Sequence, residues 1–407
     1  MKIHQKAFAV IFMASLLIFS ICNMVFQFDE IKSGIMDVDK PKKASDVKVT
    51  ASQIDSVFTE ELLFGHGWNE LYAHVYNACL KNEENSFAYV RDKNGMLYAG
   101  NFWNLPTATS REYMDRILEL KKQVEDKGTK VMVLMYPCLY NEAWSDGYKG
   151  IPYTDYNELG DELAAYFRYY GIDYIDYRQT YIENGMKAEE IFYKTDHHWR
   201  IETAFDAFVE LTEYLNEKYD EKLDTYYTDL NNYEIVTYEK FFIGSQGRDA
   251  GVNYVGADDF SYILPKFDTE YTYTYLGGGK KEEKLRGPME GTMINTRVAE
   301  IKDFYDRDFY SAYMGGVRYY DDVVNHKNPE GLNVLFLRDS FSSPLATYFS
   351  SYCNRMELYW NVNTTPEELE NAVETGEYDY IFIGLAIDSI ATDGMEFYLE
   401  EEEKADE

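Results

Sequence analysis

Residues 7–28 are almost wholly apolar, interrupted only by Ser15, Ser20, Asn23 and Gln27. A helical run of about 20 such residues matches the hydrocarbon core of a bilayer. Lys2 and Lys6 precede the run and Asp29 and Glu30 follow it. The positive-inside rule then puts the N-terminus in the cytoplasm and the remainder outside. A cleaved signal peptide is the competing reading, and it asks for a shorter apolar core and a small-x-small cleavage site. Asn23-Met24-Val25-Phe26 offers no such site, and Ile21 before Cys22 is a poor lipoprotein box. Residues 1–28 are therefore read as a cytoplasmic tip and a retained transmembrane signal anchor.

Residues 29–61 are polar and low in aromatics, as a stalk would be, and the folded part is expected over 62–398. Its pattern alternates between helical and strand periods. Phe87 to Tyr98 reads as a hairpin whose Asn94-Gly95 pair suits a type I′ turn. Ser110 is the expected cap of a helix ending at Gly128, and Lys130–Tyr136 is an apolar run fit for a buried strand. Thr154 is the expected cap of a helix running to Gly171, and Ile172–Tyr177 a second strand. Ala204, Phe205, Phe208, Leu211 and Leu215 recur at helical spacing within Ile201–Tyr219.

The rhythm fades over 220–330, a Tyr- and Gly-rich stretch with strand-like alternation at 271–275, read as an insertion on the same domain. It resumes with a strand at 333–337, a helix at 344–352, a strand at 356–359, a helix opened by Thr365-Pro366 and a last strand at 380–385. Such alternation predicts an α/β domain with a parallel sheet flanked by helices. The acidic end, 399–407, reads as a fraying tail.

Charge narrows the partners. The 407-residue chain has a formal net charge of −33, which repels nucleic-acid phosphate and sets that class aside. Of the four cysteines, Cys22 lies in the apolar segment, while Cys79, Cys138 and Cys353 leave an odd count, show no metal-type spacing and read as small core residues. Neither a Gly-x-Gly-x-x-Gly after a strand nor a P-loop occurs, so no soluble cofactor is expected.

Two short elements carry potential chemistry. In Asp196-His197-His198-Trp199, an extended backbone would turn Asp196 and His198 to one side and His197 to the other. A carboxylate beside an imidazole fixes its tautomer and stabilises the imidazolium of a general base. A structural pair or a metal ligand set remains open from the motif alone, although zinc usually takes three or four protein ligands and no second cluster is present. The other element is Val334–Leu337 followed by Arg338-Asp339-Ser340-Phe341. It places Ser340 just past a strand's carboxyl end, where open α/β sheets bind ligands. The Ser340 N–H would face an oxyanion there, or Asp339 and Ser340 would simply cap a helix. Together the elements supply a nucleophile, a base and an orienting acid.

The D-H-H-W tetrad at 196–199, the later Arg338-Asp339-Ser340-Phe341, and between them Phe242-Ile243-Gly244-Ser245 and Gly331-Leu332-Asn333-Val334 resemble the DHHW family of bacterial surface proteins. That family is similar to the SGNH-like O-acetyltransferases of alginate and cell-wall polysaccharides. The resemblance, over about 89–385, implies an SGNH-hydrolase-like (flavodoxin-like) domain with permuted motif order, Asp-x-His preceding Ser. It implies Ser340 as the acylated nucleophile, His198 as general base and acid, and Asp196 as its orienting partner. It implies an extracytoplasmic O-acyltransferase acting on a glycan acceptor, with a membrane-bound O-acyltransferase as acyl donor. An acetyl esterase on the same triad and a non-catalytic glycan-binding protein are the alternatives. Arg338 departs from the usual Gly before Asp-Ser, which bears on packing around the oxyanion. Tyr136, Trp199, Tyr348 and Trp360 are read as core aromatics.

Overall fold

The computed structural model describes residues 2–38, 50–51, 53–54, 57–58, 65–84, 87–100, 109–148, 153–276, 281–316, 318–360 and 364–392. The tail at 399–407 and the stalk residues 39–49 lie outside the described residues. The chain forms two compact units, Met1–Ala78 and Cys79–Glu407.

The first unit is helical: α1 (Lys2–Phe26), α2 (Phe28–Asp37) and α3 (Gly65–Ala78). Lys6–Phe26 is long and apolar enough to cross a membrane or to serve as a signal sequence, and its side chains are largely uncovered. The first part of the predicted stalk is helix α2, with Asp29 and Glu30 in its first turn, where the helix dipole favours negative charge.

The second unit opens with a small antiparallel sheet of β1 (Glu83–Glu84), β2 (Tyr89–Arg91) and β3 (Leu97–Ala99). The hairpin is present but its turn is not type I′, which needs positive φ at both central residues. Only Gly95 has it, at 88°. Asp92 instead spans the turn, its Oδ1 accepting from the N–H groups of Asn94 at 2.8 Å and Met96 at 2.9 Å.

The following elements are α4 (Ser110–Val124), β4 (Lys130–Tyr136), α5 (Asn157–Tyr170), β5 (Asp173–Asp176), α6 (Tyr177–Glu183), α7 (Ala188–Ile191) and α8 (Ile201–Tyr219). The cap of α4 is Thr109 rather than Ser110: Thr109 and Glu112 exchange hydrogen bonds in a capping box. Ser110, one residue inside, donates to Glu162 instead. Helix α5 begins three residues after Thr154, with Asp155 accepting from the Asn157 N–H at 3.0 Å.

Residues 220–330 contribute β6 (Tyr233–Phe242), α9 (Ser245–Ala250), α10 (Val252–Val255), β7 (Asp258–Pro265), β8 (Tyr271–Leu276), β9 (Glu282–Gly287) and β10 (Tyr320–Asn325). The chain closes with β11 (Leu332–Arg338), α11 (Ser342–Phe349), β12 (Cys353–Trp360), α12 (Pro366–Thr375), β13 (Tyr380–Ala386) and α13 (Ile387–Thr392).

The main sheet has the order β5-β4-β13-β11-β12-β10-β8-β9. Its first five strands are parallel, as predicted. Strands β10, β8 and β9 extend it in antiparallel fashion, so the sheet is mixed rather than wholly parallel. The parallel strands are buried on both faces, and their side chains divide by the two-residue period of a strand. Met132, Leu134, Tyr136, Val334, Phe336 and Phe382 join α8 and α11 in one core. Val131, Val133, Met135, Leu335, Leu337 and Ile383 join α4, α5, α12 and α13 in the other.

Tyr136, Trp199 and Tyr348 are fully buried in the first core. All four cysteines are free; Cys138 and Cys353 are buried, but Cys79 is exposed and is no core residue.

Arg338 is fully buried and pairs with the fully buried Asp321 of β10. Tyr273 on β8 donates to the other Asp321 oxygen at 2.6 Å. Arg338 also donates to Ser343 Oγ at 3.2 Å. The residue that departs from the usual Gly thus has its counter-ion in the 220–330 stretch and points along the sheet.

Candidate active site

Strand β11 ends at Arg338, and the chain turns through Asp339 and Ser340 into α11. Asp339 fixes that turn from several sides. Its N–H donates to the Gly384 carbonyl at 3.1 Å. Its carboxylate accepts from the N–H of Phe341 at 3.0 Å, the N–H of Ala386 at 2.6 Å and Ser389 Oγ at 2.8 Å. Asp339 therefore caps its own turn and ties it to the end of β13. Burial pushes its carboxyl up to about 6 against these bonds.

The D-H-H-W residues precede α8. A bridge between Phe192 and Trp199 closes the segment into a loop, so it is bent rather than extended. Asp196 Oδ1 accepts from both the backbone N–H and the Nδ1 of His198, a local turn that aligns the two side chains more directly than strand alternation would. Because the chain is bent, His197 does not point away: its ring lies 3.8 Å from that of His198, centroid to centroid. Trp199 anchors the loop by donating its indole N–H to the Phe341 carbonyl at 3.1 Å.

These two elements meet. His198 Nε2 lies 2.6 Å from Ser340 Oγ, while its Nδ1 faces Asp196. The three predicted site residues, Asp196, His198 and Ser340, thus form a continuous chain of hydrogen bonds. Tyr310 stacks on His198 with centroids 3.8 Å apart and planes 14° apart, and donates to the Ser340 carbonyl at 3.2 Å. Phe341 lies on the imidazole as well, at 5.3 Å. Tyr310, Phe341 and His197 thus all pack against the imidazole. The Ser340 N–H has no acceptor among the described residues.

Asp196 is buried, which alone would raise its pKa. The adjacent His198 and His197 and the hydrogen bonds from His198 outweigh burial and hold the carboxyl well below the usual range. Its other oxygen, Oδ2, accepts from the Ser245 N–H at 2.9 Å. Gly244 makes that approach feasible: a Cβ there would lie 2.6 Å from the Asp196 carboxyl carbon and closer still to Cβ and Oδ2. Thr195 completes the clamp, accepting from the Gly244 N–H at 2.8 Å and donating to Asp258 at 2.7 Å.

Sequence reasoning missed the clamp of Thr195, Gly244, Ser245 and Asp258, and the stacking Tyr310. The Phe242–Ser245 segment stood out only through its resemblance, and no local signal links it to a carboxylate 49 positions away.

Ligand atoms of Asp196, His197 and His198 lie within 4.8 Å of one another, the geometry of a cation site. Both Asp196 oxygens and both His198 nitrogens are already committed to hydrogen bonds. His197 Nδ1 lies 3.4 Å from Ser245 Oγ, so its Nε2 is the one ring nitrogen of the pair without such a partner, fewer than the three or four ligands that zinc usually takes.

The mixed α/β sheet, with Ser340 just past a strand's carboxyl end and hydrogen-bonded to the Asp-paired His198, has the fold of an SGNH hydrolase-like domain. Residues 94–232 match the family model described as SGNH hydrolase-like domain, acetyltransferase AlgX. The chain is also similar to solved structures. Bacillus cereus PatB1 with a sulfonyl adduct superposes with a TM-score of 0.60 at 14% identity, covering 76% of this chain and 97% of that one. A DHHW family protein from Eubacterium siraeum gives 0.55 at 16% identity, covering 76% and 96%. No curated protein matches the chain in sequence. The resemblance read from the motifs holds in the fold and in the family match.

Proposed function

We propose that the protein is an extracytoplasmic O-acyltransferase, held at the cell membrane by α1 as a single-pass anchor. It moves an acetyl group to a hydroxyl of an exopolysaccharide or cell-wall glycan through an acyl-enzyme. The carrying observation is the placement of Ser340 Oγ 2.6 Å from His198 Nε2, with Asp196 on the opposite ring nitrogen.

Ser340 Oγ attacks the acyl carbonyl while His198 Nε2 takes its proton. Asp196 holds the imidazole in the required tautomer and stabilises the imidazolium. The Ser340 N–H is available to the developing oxyanion. His198 returns the proton to the leaving group, and the ester remains on Ser340. A sugar hydroxyl, deprotonated by His198, then attacks that ester and frees the serine. A membrane-bound O-acyltransferase is the proposed donor, and tethering raises its effective concentration around the site.

The test uses the full chain in detergent with p-nitrophenyl acetate and a phenylsulfonyl fluoride, read by intact mass. One acetyl or sulfonyl group should appear on wild type, at Ser340, and on neither Ser340→Ala nor His198→Ala. PatB1 carries a sulfonyl adduct, and the same adduct is expected here. Folded wild-type protein that takes neither group would sink the reading. Acetyl release to water alone, with no glycan acceptor used, would make it an esterase.

A further inference from the structure

Beside the triad, on the side of His197, is a pocket of about 210 Å³ whose walls include Tyr98, Tyr140, Thr154, His197, Gln246 and Asp388. It lies at the carboxyl-end edge of the sheet, where the loop after β4 meets the start of α13. Its walls are continuous with the residues that hold the triad. Gln246 follows Ser245, which donates to Asp196. Asp388 precedes Ser389, which donates to Asp339.

Two polar atoms of the wall are orphaned. Gln246 is 8% exposed, and its Oε1 is buried without a hydrogen-bond partner. Thr154 Oγ1 is likewise buried and unpartnered. A buried polar atom left unpaired is destabilising, and two in one small cavity point to a ligand that supplies hydroxyls. The aromatic part is rigid: Tyr140 stacks on Tyr153 at 4.7 Å, and Tyr98 meets both edge-on. Aromatic groups beside a few fixed polar atoms are the composition of a small-molecule site. The pocket falls below the ~300 Å³ at which drug-sized sites begin, so it suits a single ring. No Lys or Arg is among its described lining residues, and Asp388 contributes a carboxylate. An anionic sugar would be left without a counter-ion and beside a like charge.

We propose that this pocket is the acceptor subsite and that it takes one neutral hexopyranose ring, excluding uronic acids and phosphorylated sugars. The inference rests on the transferase reading for what the bound ring does next, but not for its binding. Gln246 and Thr154 hydrogen-bond ring hydroxyls, the tyrosines cover an apolar face, and the neighbouring hydroxyl is delivered towards Ser340 past His197.

The experiment is saturation-transfer NMR on the full chain in detergent, in a Ser340→Ala background that removes turnover. The probes are methyl β-glucopyranoside and methyl β-glucuronide. The glucoside should bind at least about tenfold more tightly. Gln246→Ala and Thr154→Val should each weaken it about three- to tenfold, the worth of one neutral hydrogen bond. Equal binding of both probes, or glucoside binding unmoved by both variants, overturns the proposal. So does displacement of the glucoside by p-nitrophenyl butyrate, which would make the pocket an acyl site. Melting curves check each variant, and if Gln246→Ala fails to fold, the smaller Thr154→Val change decides. With Ser340 restored, the ratio of glucoside-dependent to water-dependent deacylation should fall with each variant. Sugar binding without any acylation of Ser340 would sink the transferase reading and keep the subsite. Acylation without sugar selectivity would do the reverse.

Discussion

Gly244→Ala is the sharpest test of how the Asp196 carboxylate is held against His198. A Cβ at 244 would sit 2.6 Å from the Asp196 carboxyl carbon, against an optimum of about 3.5–4.0 Å between carbons. The two groups must therefore separate by about 1 Å. Neither has free room. Asp196 is fixed by Ser245 and His198, and Gly244 donates to Thr195, which is itself bonded to the buried Asp258. The side that yields carries Asp196 away from His198 Nδ1. A misplacement of about 1 Å typically costs about 10²-fold in rate, and full loss of the orienting carboxylate about 10⁴-fold. The assay is the second-order rate of Ser340 labelling by a sulfonyl fluoride, with a thermal melt alongside. The expected result is a fall of about 10²- to 10⁴-fold in a protein that still melts cooperatively. Labelling at the wild-type rate would refute the argument that Gly244 exists to let Asp196 approach.

The buried Arg338–Asp321 pair gives a stability prediction: Asp321→Ala leaves an uncompensated charge and should cost about 3–5 kcal/mol in urea unfolding, while the double variant Asp321→Leu/Arg338→Met recovers most of it. The depressed Asp196 carboxyl stabilises the fold above its unfolded value of 3.8, and that contribution is lost as pH falls through the lower folded value. Asp196→Asn should therefore flatten the acid side of the stability–pH curve below about pH 4. Asp339 acts in the opposite sense. With its pKa raised from 3.8 to about 6, its ionisation should lower stability progressively between those values, and an Asp339→Asn comparison of unfolding free energy at pH 4 and pH 7 reads that slope.

Elements whose signal is local were legible in the sequence. Strand β4 and helix α8 stand at the positions their apolar periods gave, because burial on two faces or on one stripe writes itself into consecutive residues. Thr365-Pro366 opens α12 as expected, and the structure adds a capping box between Thr365 and Glu368. The ends that went wrong were decided by side chains a few residues off: Thr109 outcompeted Ser110 because Glu112 can answer it, and Asp155 rather than Thr154 serves the start of α5. The pairing of Asp196 with His198 was legible because a single residue separates them. Its physical form, a turn instead of an extended strand, was not, since the bridge from Phe192 to Trp199 that bends the loop is tertiary. The antiparallel extension showed itself only as alternation at 271–275. That β8 and β10 dock onto β12, with Asp321 answering Arg338, depends on contacts no window of sequence contains.

The position of β13 has a consequence for how the molecule comes into being. The last strand among the described residues, it lies in the interior of the sheet, between β4 and β11. During synthesis the histidine and its acid emerge long before the serine, and the serine before the strand whose end secures Asp339 through Ala386. Until β13 arrives, β4 and β11 have open edges facing each other, and the turn bearing Ser340 lacks its tie. Contacts of such long sequence separation form late and carry a large loop-closure cost. A chain cut short before residue 386 would therefore be an unfinished sheet with two sticky edges, not a weaker version of the whole. The turn that bears Ser340 is tied down only when β13 closes the gap, so closing the sheet and fixing the candidate site are one event.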